Sequence, residues 1–328
     1  MRAIHCVQYG EPKNLVLVAQ DEPKPAPGEV LVAVDAAGLG YADALSVRGA
    51  YQIKRPLPFI PGGEMAGRVV GLGEGVPREW LARRVMALSP RGSLAERIAL
   101  PAVLCTPIPA MLSSEAAAGC IVNYCTALYA LETCGQVRAG ETVLVLGAAG
   151  GVGLAALDVA RALGAKVAAA ASSPEKLKEC ATLGADWTVD YSRPDWRKAL
   201  EAALEKRPLN VMVDPVGGPY SETAFRCLAP GGRHLVIGFA AGEIPRIPLN
   251  LPLLKLASIV GVDWGGSHRS GPPKPPPEME RLIALVTAGK IHPAVQATFP
   301  LEEAGNALQA MLERRGIGKA VIRLADYA

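Results

Sequence analysis

Aromatic residues are scarce, at 5% of 328 residues, and the net charge is only +3. No Lys/Arg stripe interleaves with the few rings, so the chain lacks the electrostatic footprint of a nucleic-acid binder. No uncharged apolar run reaches the roughly 18–20 residues of a membrane span. The opening Met1-Arg2-Ala3-Ile4-His5-Cys6 carries no signal-peptide core, and a cytoplasmic location is expected. None of the seven cysteines forms a Cys-x-x-Cys pair, and their number is odd. Both a disulfide framework and a zinc ribbon fail on that spacing. The cysteines mostly sit inside apolar segments, where a free thiol behaves as a small hydrophobe. The four histidines, His5, His234, His268 and His292, are scattered and read as surface or structural residues.

What is present is the composition of a folded protein, 50% hydrophobic and 20% charged, at a length that suits two domains. The first hundred residues read as β-rich. A strand at Val30–Val34 follows a Pro/Gly turn, and another at Ala66–Val70 lies between Pro61-Gly62-Gly63 and Gly71-Leu72-Gly73. Such punctuation predicts a small barrel or sandwich. From Ser113 the pattern turns helical, with a long apolar run from Ala116 to Leu131. Strands at 143–147, 166–171, 187–190, 210–214 and 234–238 then alternate with helices at 154–163, 174–183, 195–206 and 219–228. That alternation predicts an α/β fold with a doubly wound parallel sheet. A strand at 258–262, a Pro-rich connector at 271–277, helices near 278–288 and 301–313 and a strand at 320–324 complete the reading.

The segment Val143 to Gly153 runs an apolar strand into a glycine-rich turn, Ala148-x-Gly150-x-x-Gly153, with a helix directly after it. A dinucleotide pyrophosphate requires this order. Small residues let the backbone approach the phosphates, and the helix start offers unpaired N–H groups and partial positive charge. Ala149, Gly150, Gly151 and Val152 are the candidate pyrophosphate-binding residues.

Taken in order, several motifs carry a resemblance. They are Arg48-Gly49-x-Tyr51, Pro58-Phe59-Ile60-Pro61-Gly62-Gly63-Glu64, Asn123-Tyr124-x-Thr126-Ala127, the Ala148–Gly153 turn, Asp214-Pro215-Val216-Gly217-Gly218 and Ala229-Pro230-Gly231-Gly232. The chain resembles the zinc-free branch of the medium-chain dehydrogenase/reductase superfamily, the quinone oxidoreductases related to zeta-crystallin. The resemblance implies a Rossmann domain (119–264) inserted in a GroES-like β-rich catalytic domain (1–118 with 265–328), with the active site in the cleft between. It also implies a homodimer paired through the edge strand at Ser258–Val262. Where the alcohol-dehydrogenase branch places a zinc-ligating cysteine and histidine, this chain has Gly40 and Gly63, which offer no donor atom. No metal is expected.

The second Rossmann strand ends Ala171-Ser172-Ser173, without the acid that NAD enzymes place roughly twenty residues past the turn. Ser172, Lys176 and Tyr191 match the phosphate-binding set of NADPH-dependent relatives, so NADPH is the expected cofactor. Glu175, beside them, reads as a helix-start residue. Carried over from the family, Tyr41 and Tyr51 are candidates for holding substrate, Thr126 for contacting the nicotinamide, and Phe239 and Asn250 for bordering it. Relatives carry asparagine where this chain has Gly40, so a polar contact is missing and the pocket is larger. The expected activity is hydride transfer from NADPH to a quinone. Reduction of an activated carbon–carbon double bond, as in a 2-alkenal or enoyl substrate, and non-catalytic NADPH binding are the alternatives.

Overall fold

The computed structural model describes residues 1–268 and 274–324; the first three residues of the expected Pro-rich connector lie outside them. The chain divides into two compact units. One takes residues 1–122 with the described parts of 271–279 and 293–328, and the other takes 123–270 (as far as described) with 280–292.

The first unit is mainly antiparallel. It contains β1 (Arg2–His5), β2 (Val16–Ala19), β3 (Glu29–Leu39), α1 (Tyr41–Val47), β4 (Glu64–Leu72), β5 (Arg84–Leu88), β6 (Arg97–Pro101) and β7 (Thr106–Pro107). Helix α2 (Ser114–Leu128) carries the chain across the unit boundary and continues as a π-helical turn, Tyr129–Cys134. In the second unit follow β8 (Thr142–Leu146), α3 (Gly151–Ala162), β9 (Lys166–Ala171), α4 (Pro174–Thr182), β10 (Trp187–Asp190), α5 (Trp196–Ala203) and β11 (Leu209–Asp214). After these come α6 (Pro219–Phe225), β12 (Leu228–Val236), α7 (Asn250–Lys255), β13 (Ser258–Gly261) and α8 (Trp264–Ser267). Helix α9 (Pro277–Thr287), β14 (Ala297–Pro300), α10 (Ala304–Leu312) and β15 (Ala320–Arg323) complete the described elements.

Strand β3 organises the first unit. Its first half pairs with β6, its second half with β15, and β4 runs along nearly all of it, with register shifts at Leu31/Val32 and Val34/Ala36. Such bulges bend a strand and let it serve different neighbours. Alternate β3 residues Val30, Val32 and Val34 pack with Met65, Val85 and Leu100, while Leu39 packs with Leu308 and Ile322.

In the second unit all paired strands are parallel, in the order β10-β9-β8-β11-β12-β13. This is the Rossmann order, which reverses between β8 and β11, where the ends of the strands form a ligand crevice. The core is Leu144, Leu146, Met212 and Phe225 with Trp196 and Leu251. Most expected elements lie within a few residues of their positions, with three departures. Helix α3 starts at Gly151 rather than 154, α2 passes into the π turn, and β12 runs from Leu228 to Val236 rather than over 234–238, taking in Pro230-Gly231-Gly232.

Candidate functional site

The glycine turn is built by exclusion of side chains. Gly147 leaves β8 at φ +58, and a Cβ there would approach the Val216 side chain to 2.7 Å. A Cβ on Gly153 would come within 2.3 Å of the Gly147 carbonyl oxygen, and one on Gly151 within 2.4 Å of Asn123 Nδ2. The turn and the first helical turn therefore close together only with glycine at these positions. Ala148, in the first glycine slot, is buried, and its N–H donates to Ala170 O at 3.0 Å, tying the turn to β9. Gly150 is exposed and extended as the N-cap of α3. The N–H groups of Gly151, Val152 and Gly153 head a twelve-residue helix and have no carbonyl one turn earlier within it to bond. Ala149, Gly150, Gly151 and Val152 lie together on this cradle, and its backbone fits a pyrophosphate.

The neighbouring strand end brings the second candidate group together. Tyr191 N–H donates to Ala171 O at 3.1 Å, which places Tyr191 beside Ser172, and the Tyr191 ring packs on Tyr220 at 4.4 Å. Ser172 is exposed, and Ser173 Oγ caps α4 by accepting from Lys176 N at 3.4 Å. Glu175 is exposed; hydrogen bonds from its own N–H and from the Ser173 hydroxyl hold its carboxyl below the ordinary range. Those bonds make it part of the helix cap.

Across the switch point, Asp214 ends β11 as a buried hub that sequence reasoning left as part of a motif. Its Oδ1 accepts from Val216 N (3.0 Å) and Gly217 N (2.8 Å). Its Oδ2 accepts from Ser221 Oγ (2.5 Å) and contacts His234 Nε2 at 2.9 Å. Burial pushes this carboxyl up, but the bonds from His234, Gly217 and Ser221 outweigh it, and the net direction is down. Asp214 thereby fixes the Gly217-Gly218 turn, both of whose residues have positive φ. A groove of about 610 Å³ is lined by Tyr129, Val236, Ile237, Phe239, Gly261, Val262, Asp263, Gly266 and Ser267. Phe239 thus lies in the groove, whereas Asn250 heads α7, exposed and outside the lining. Thr126 is buried in α2, and its hydroxyl makes no hydrogen bond to the described residues, including the carbonyl one turn earlier.

In the first unit, Tyr41 starts α1 and Tyr51 lies in the following loop, both half-buried, and neither phenol is hydrogen-bonded to the described residues. Arg55 anchors that loop, donating to Ile60 O (3.1 Å) and Pro90 O (2.9 Å) and lying over the Phe59 ring at 4.9 Å. The positions matching zinc ligands are spacious. A Cβ on Gly40 would meet only Asp43 Oδ2, at 3.3 Å, and one on Gly63 only Asp43 Oδ1, at 3.7 Å. Gly38 differs, because its Cβ would lie 2.3 Å from Ala118 O and 2.7 Å from the Glu64 side chain. Glu64 and Lys319 form a buried ion pair, and Glu64 Oε2 also accepts from Val122 N at 2.8 Å. Burial pushes the Asp43 carboxyl up to about 6; Glu64 adds to the shift, and the Gly40 N–H, Lys319 and Arg55 oppose it. Among the described residues, no group of three or more His, Cys, Asp or Glu is arranged to hold a metal, and no helix is long and apolar enough to cross a membrane.

Comparison with known proteins agrees with this architecture. Residues 26–110 match the alcohol dehydrogenase GroES-like domain, and residues 151–287 match the zinc-binding dehydrogenase family. A quinone oxidoreductase-like protein 2 homolog of Nematostella vectensis is 36% identical over 327 residues, covering 98% of this chain and 88% of that protein. The quinone oxidoreductase of Pseudomonas aeruginosa is 31% identical, covering 98% of this chain and 99% of its own. The quinone oxidoreductase of Thermus thermophilus, whose structure was solved alone and with NADPH, is 36% identical with a TM-score of 0.82, covering 99% of this chain and 100% of that one. With a Rossmann sheet, a GroES-like unit and this likeness along nearly its full length, the chain belongs to the quinone oxidoreductase family of the medium-chain dehydrogenases/reductases.

Proposed function

We propose that the protein reduces quinones with NADPH and without zinc. The observation that carries this reading is the pair Gly40 and Gly63. They leave no donor atom at the zinc positions, while the glycine cradle of the second unit fits a dinucleotide. Without a Lewis acid to stabilise an alkoxide, the chemistry that remains is hydride transfer to an acceptor that is already electrophilic. NADPH, when bound, supplies that hydride. Gly150, Gly151 and Val152, with Ala149, cradle its pyrophosphate. Ser172, Lys176 and Tyr191 hold the 2′-phosphate, which a carboxylate at this strand end would repel. Thr126, Phe239 and Asn250 border the nicotinamide. The unbonded phenols of Tyr41 and Tyr51 orient the acceptor and stabilise charge growing on its oxygen. The catalytic domain is assigned to residues 1–118 with 265–328 and the cofactor domain to 119–264, with residues 280–292 grouping with the second compact unit.

A second reading, reduction of a carbon–carbon double bond beside a carbonyl, uses the same groups. It too needs a proton after the hydride, which Tyr51, Tyr41 or water would provide.

A panel of 1,4-benzoquinone, naphthoquinones, 2-alkenals and enoyl thioesters, with NADPH consumption as readout, separates the two. NADPH is expected to bind at least about tenfold tighter than NADH, a difference on the order of 1.4 kcal/mol, and Lys176→Ala to narrow the gap. Equal affinities in a nicotinamide-fluorescence titration would remove the cofactor assignment. Exhaustive chelation is expected to leave rate and melting temperature unchanged, and stoichiometric zinc in untagged protein would overturn the metal-free reading.

A further inference from the structure

Two-electron reduction of a quinone or an activated alkene needs a proton as well as a hydride. The residues assigned so far bind and orient, and its source is open among Tyr51, Tyr41 and water. Asp43 stands at the third position of α1, and its Oδ2 is occupied by the Gly40 N–H at 2.8 Å. Its Oδ1 accepts no hydrogen bond from the described residues, yet is not among the sealed polar atoms that lack a partner. The space around this carboxyl is open on two sides, since methyl groups built at Gly40 and Gly63 would touch nothing within 4 Å but Asp43 itself. Neither glycine can ligate a metal, so this space is not a vacant metal centre.

The charged groups that face Asp43 are Lys319, Glu64 and Arg55. Lys319 is committed to Glu64, with both side chains at most 5% exposed. Arg55 is committed to the carbonyls of Ile60 and Pro90. Neither cation pairs directly with Asp43, so its carboxylate form is poorly compensated and its acid form is favoured.

We propose that Asp43 is a catalytic residue that delivers the proton to the reduced acceptor; this rests on the reductase reading above. NADPH, when bound, would supply the hydride with its electron pair to one acceptor atom and would itself be the group oxidised. The Asp43 O–H bond breaks as its proton bonds to the acceptor oxygen of a quinone, or to the carbon next to the carbonyl of an activated alkene. The resulting carboxylate is reprotonated at Oδ1 by hydronium from the solvent, so each turnover consumes one proton from solution. Tyr41 and Tyr51 then serve orientation, and the acid is the neighbour that the missing side chains at 40 and 63 leave uncovered.

The test uses the intact protein and Asp43→Asn, which keeps an oxygen for the Gly40 N–H but has no acidic proton. The expected result is a fall in kcat of at least about tenfold with NADPH affinity unchanged, together with loss of a pH-rate limb near 6 that wild type shows. Asp43→Glu is expected to regain part of the rate and the limb, which a merely structural role would not predict. Independently of turnover, carbon-13 NMR of labelled aspartate carboxyls in the cofactor-free protein should show one titrating near 6. That signal, and the wild-type pH profile, decide the matter even if Asp43→Asn fails to fold. A flat wild-type profile between pH 5 and 8, or no aspartate titrating above the ordinary range, overturns the proposal. So does transfer of the lost limb to Tyr41→Phe or Tyr51→Phe with Asp43→Asn fully active. If no acceptor in the panel consumes NADPH with wild type, the reductase reading fails and this inference with it; an active wild type matched by Asp43→Asn overturns this inference alone.

Discussion

Replacing Gly40 by asparagine asks whether the acceptor meets this residue. The backbone permits the change: Gly40 has φ −127 and ψ 157, an ordinary extended conformation, and its Cβ would meet only Asp43 Oδ2, at 3.3 Å. Accommodating that contact needs a shift of a few tenths of an ångström. Against it stand two gains. Removing glycine's freedom from the unfolded chain stabilises by about 0.4–1 kcal/mol where the native angles suit the new residue. Asparagine at a helix N-cap adds a few tenths of a kcal/mol over glycine. Gly40→Asn should therefore fold as well as wild type or slightly better. The effect on substrate choice is larger, because the carboxamide fills the space that a second ring would occupy. Pocket changes of this kind shift discrimination by about 1–3 kcal/mol, roughly ten- to two-hundred-fold. Wild type should favour naphthoquinones over 1,4-benzoquinone in kcat/KM, and Gly40→Asn should move that ratio toward the small quinone by at least about tenfold. Gly40→Ala, which tests the backbone without adding an amide, should move it much less. If all three proteins fold, bind NADPH and share one ratio, residue 40 does not face the acceptor, and the assignment of the 40–51 segment to substrate is wrong.

Three further outcomes follow from the geometry. Lys319→Met strips the buried Glu64 of its cation and should cost about 3–5 kcal/mol in urea unfolding, with part of the loss recovered in the double variant Glu64→Gln/Lys319→Met; a Lys319→Met protein as stable as wild type would show the pair to be dispensable. Because the folded Asp43 carboxyl is raised from its ordinary 3.8 to about 6, the stability it contributes is fully present below pH 3.8 and is lost as pH rises through 6. The neutral Asp43→Asn variant should thus match wild type near pH 4 and exceed it by about 2 kcal/mol at pH 8, allowing for partial solvent contact; a gap independent of pH would contradict the assigned environment. Finally, β13 is a sheet-edge strand with Ile259 42% exposed, near the 70–83% exposed Leu249, Leu253, Leu254 and Leu256. A twofold dimer through this edge is expected, with Ile259→Lys shifting the mass by light scattering to that of a monomer; a monomeric wild type at micromolar concentration would refute it.

The Rossmann order could be read from the sequence because each strand is a short apolar run stopped by glycine, and each helix carries its own start signal. Pro174 and Gly184 bracket α4 in this way, and the residues forming the β8–α3 cradle are contiguous. Elements whose signals were weak or misleading were missed. Helix α1 is seven residues with two buried positions, too short for a periodic pattern. Glycine and proline in Pro230-Gly231-Gly232 imitate a turn, while the strand passes through them by a register shift against β11. The first unit's charged cluster could not have been found, because Glu64 and Lys319 are 255 residues apart and only the pairing of β3 with both β4 and β15 brings them together. The contrast between Gly38 and Gly40 was equally hidden. Both are glycine in the sequence, but one is walled in by Ala118 and Glu64 and the other is open.

The Asp214 hub also bears on the covalent lifetime of the chain. Asp214 precedes Pro215, and an aspartyl–prolyl linkage breaks in acid when the side-chain carboxyl attacks its own carbonyl carbon and the proline nitrogen departs. Here both carboxyl oxygens are engaged, by the Val216 and Gly217 N–H groups and by Ser221 and His234, so the side chain is held where it cannot swing onto the backbone. Folding therefore protects the most acid-sensitive bond in this segment. Once acid unfolds the second unit, cleavage between residues 214 and 215 would leave β11 and β12, neighbours in the sheet, on separate fragments.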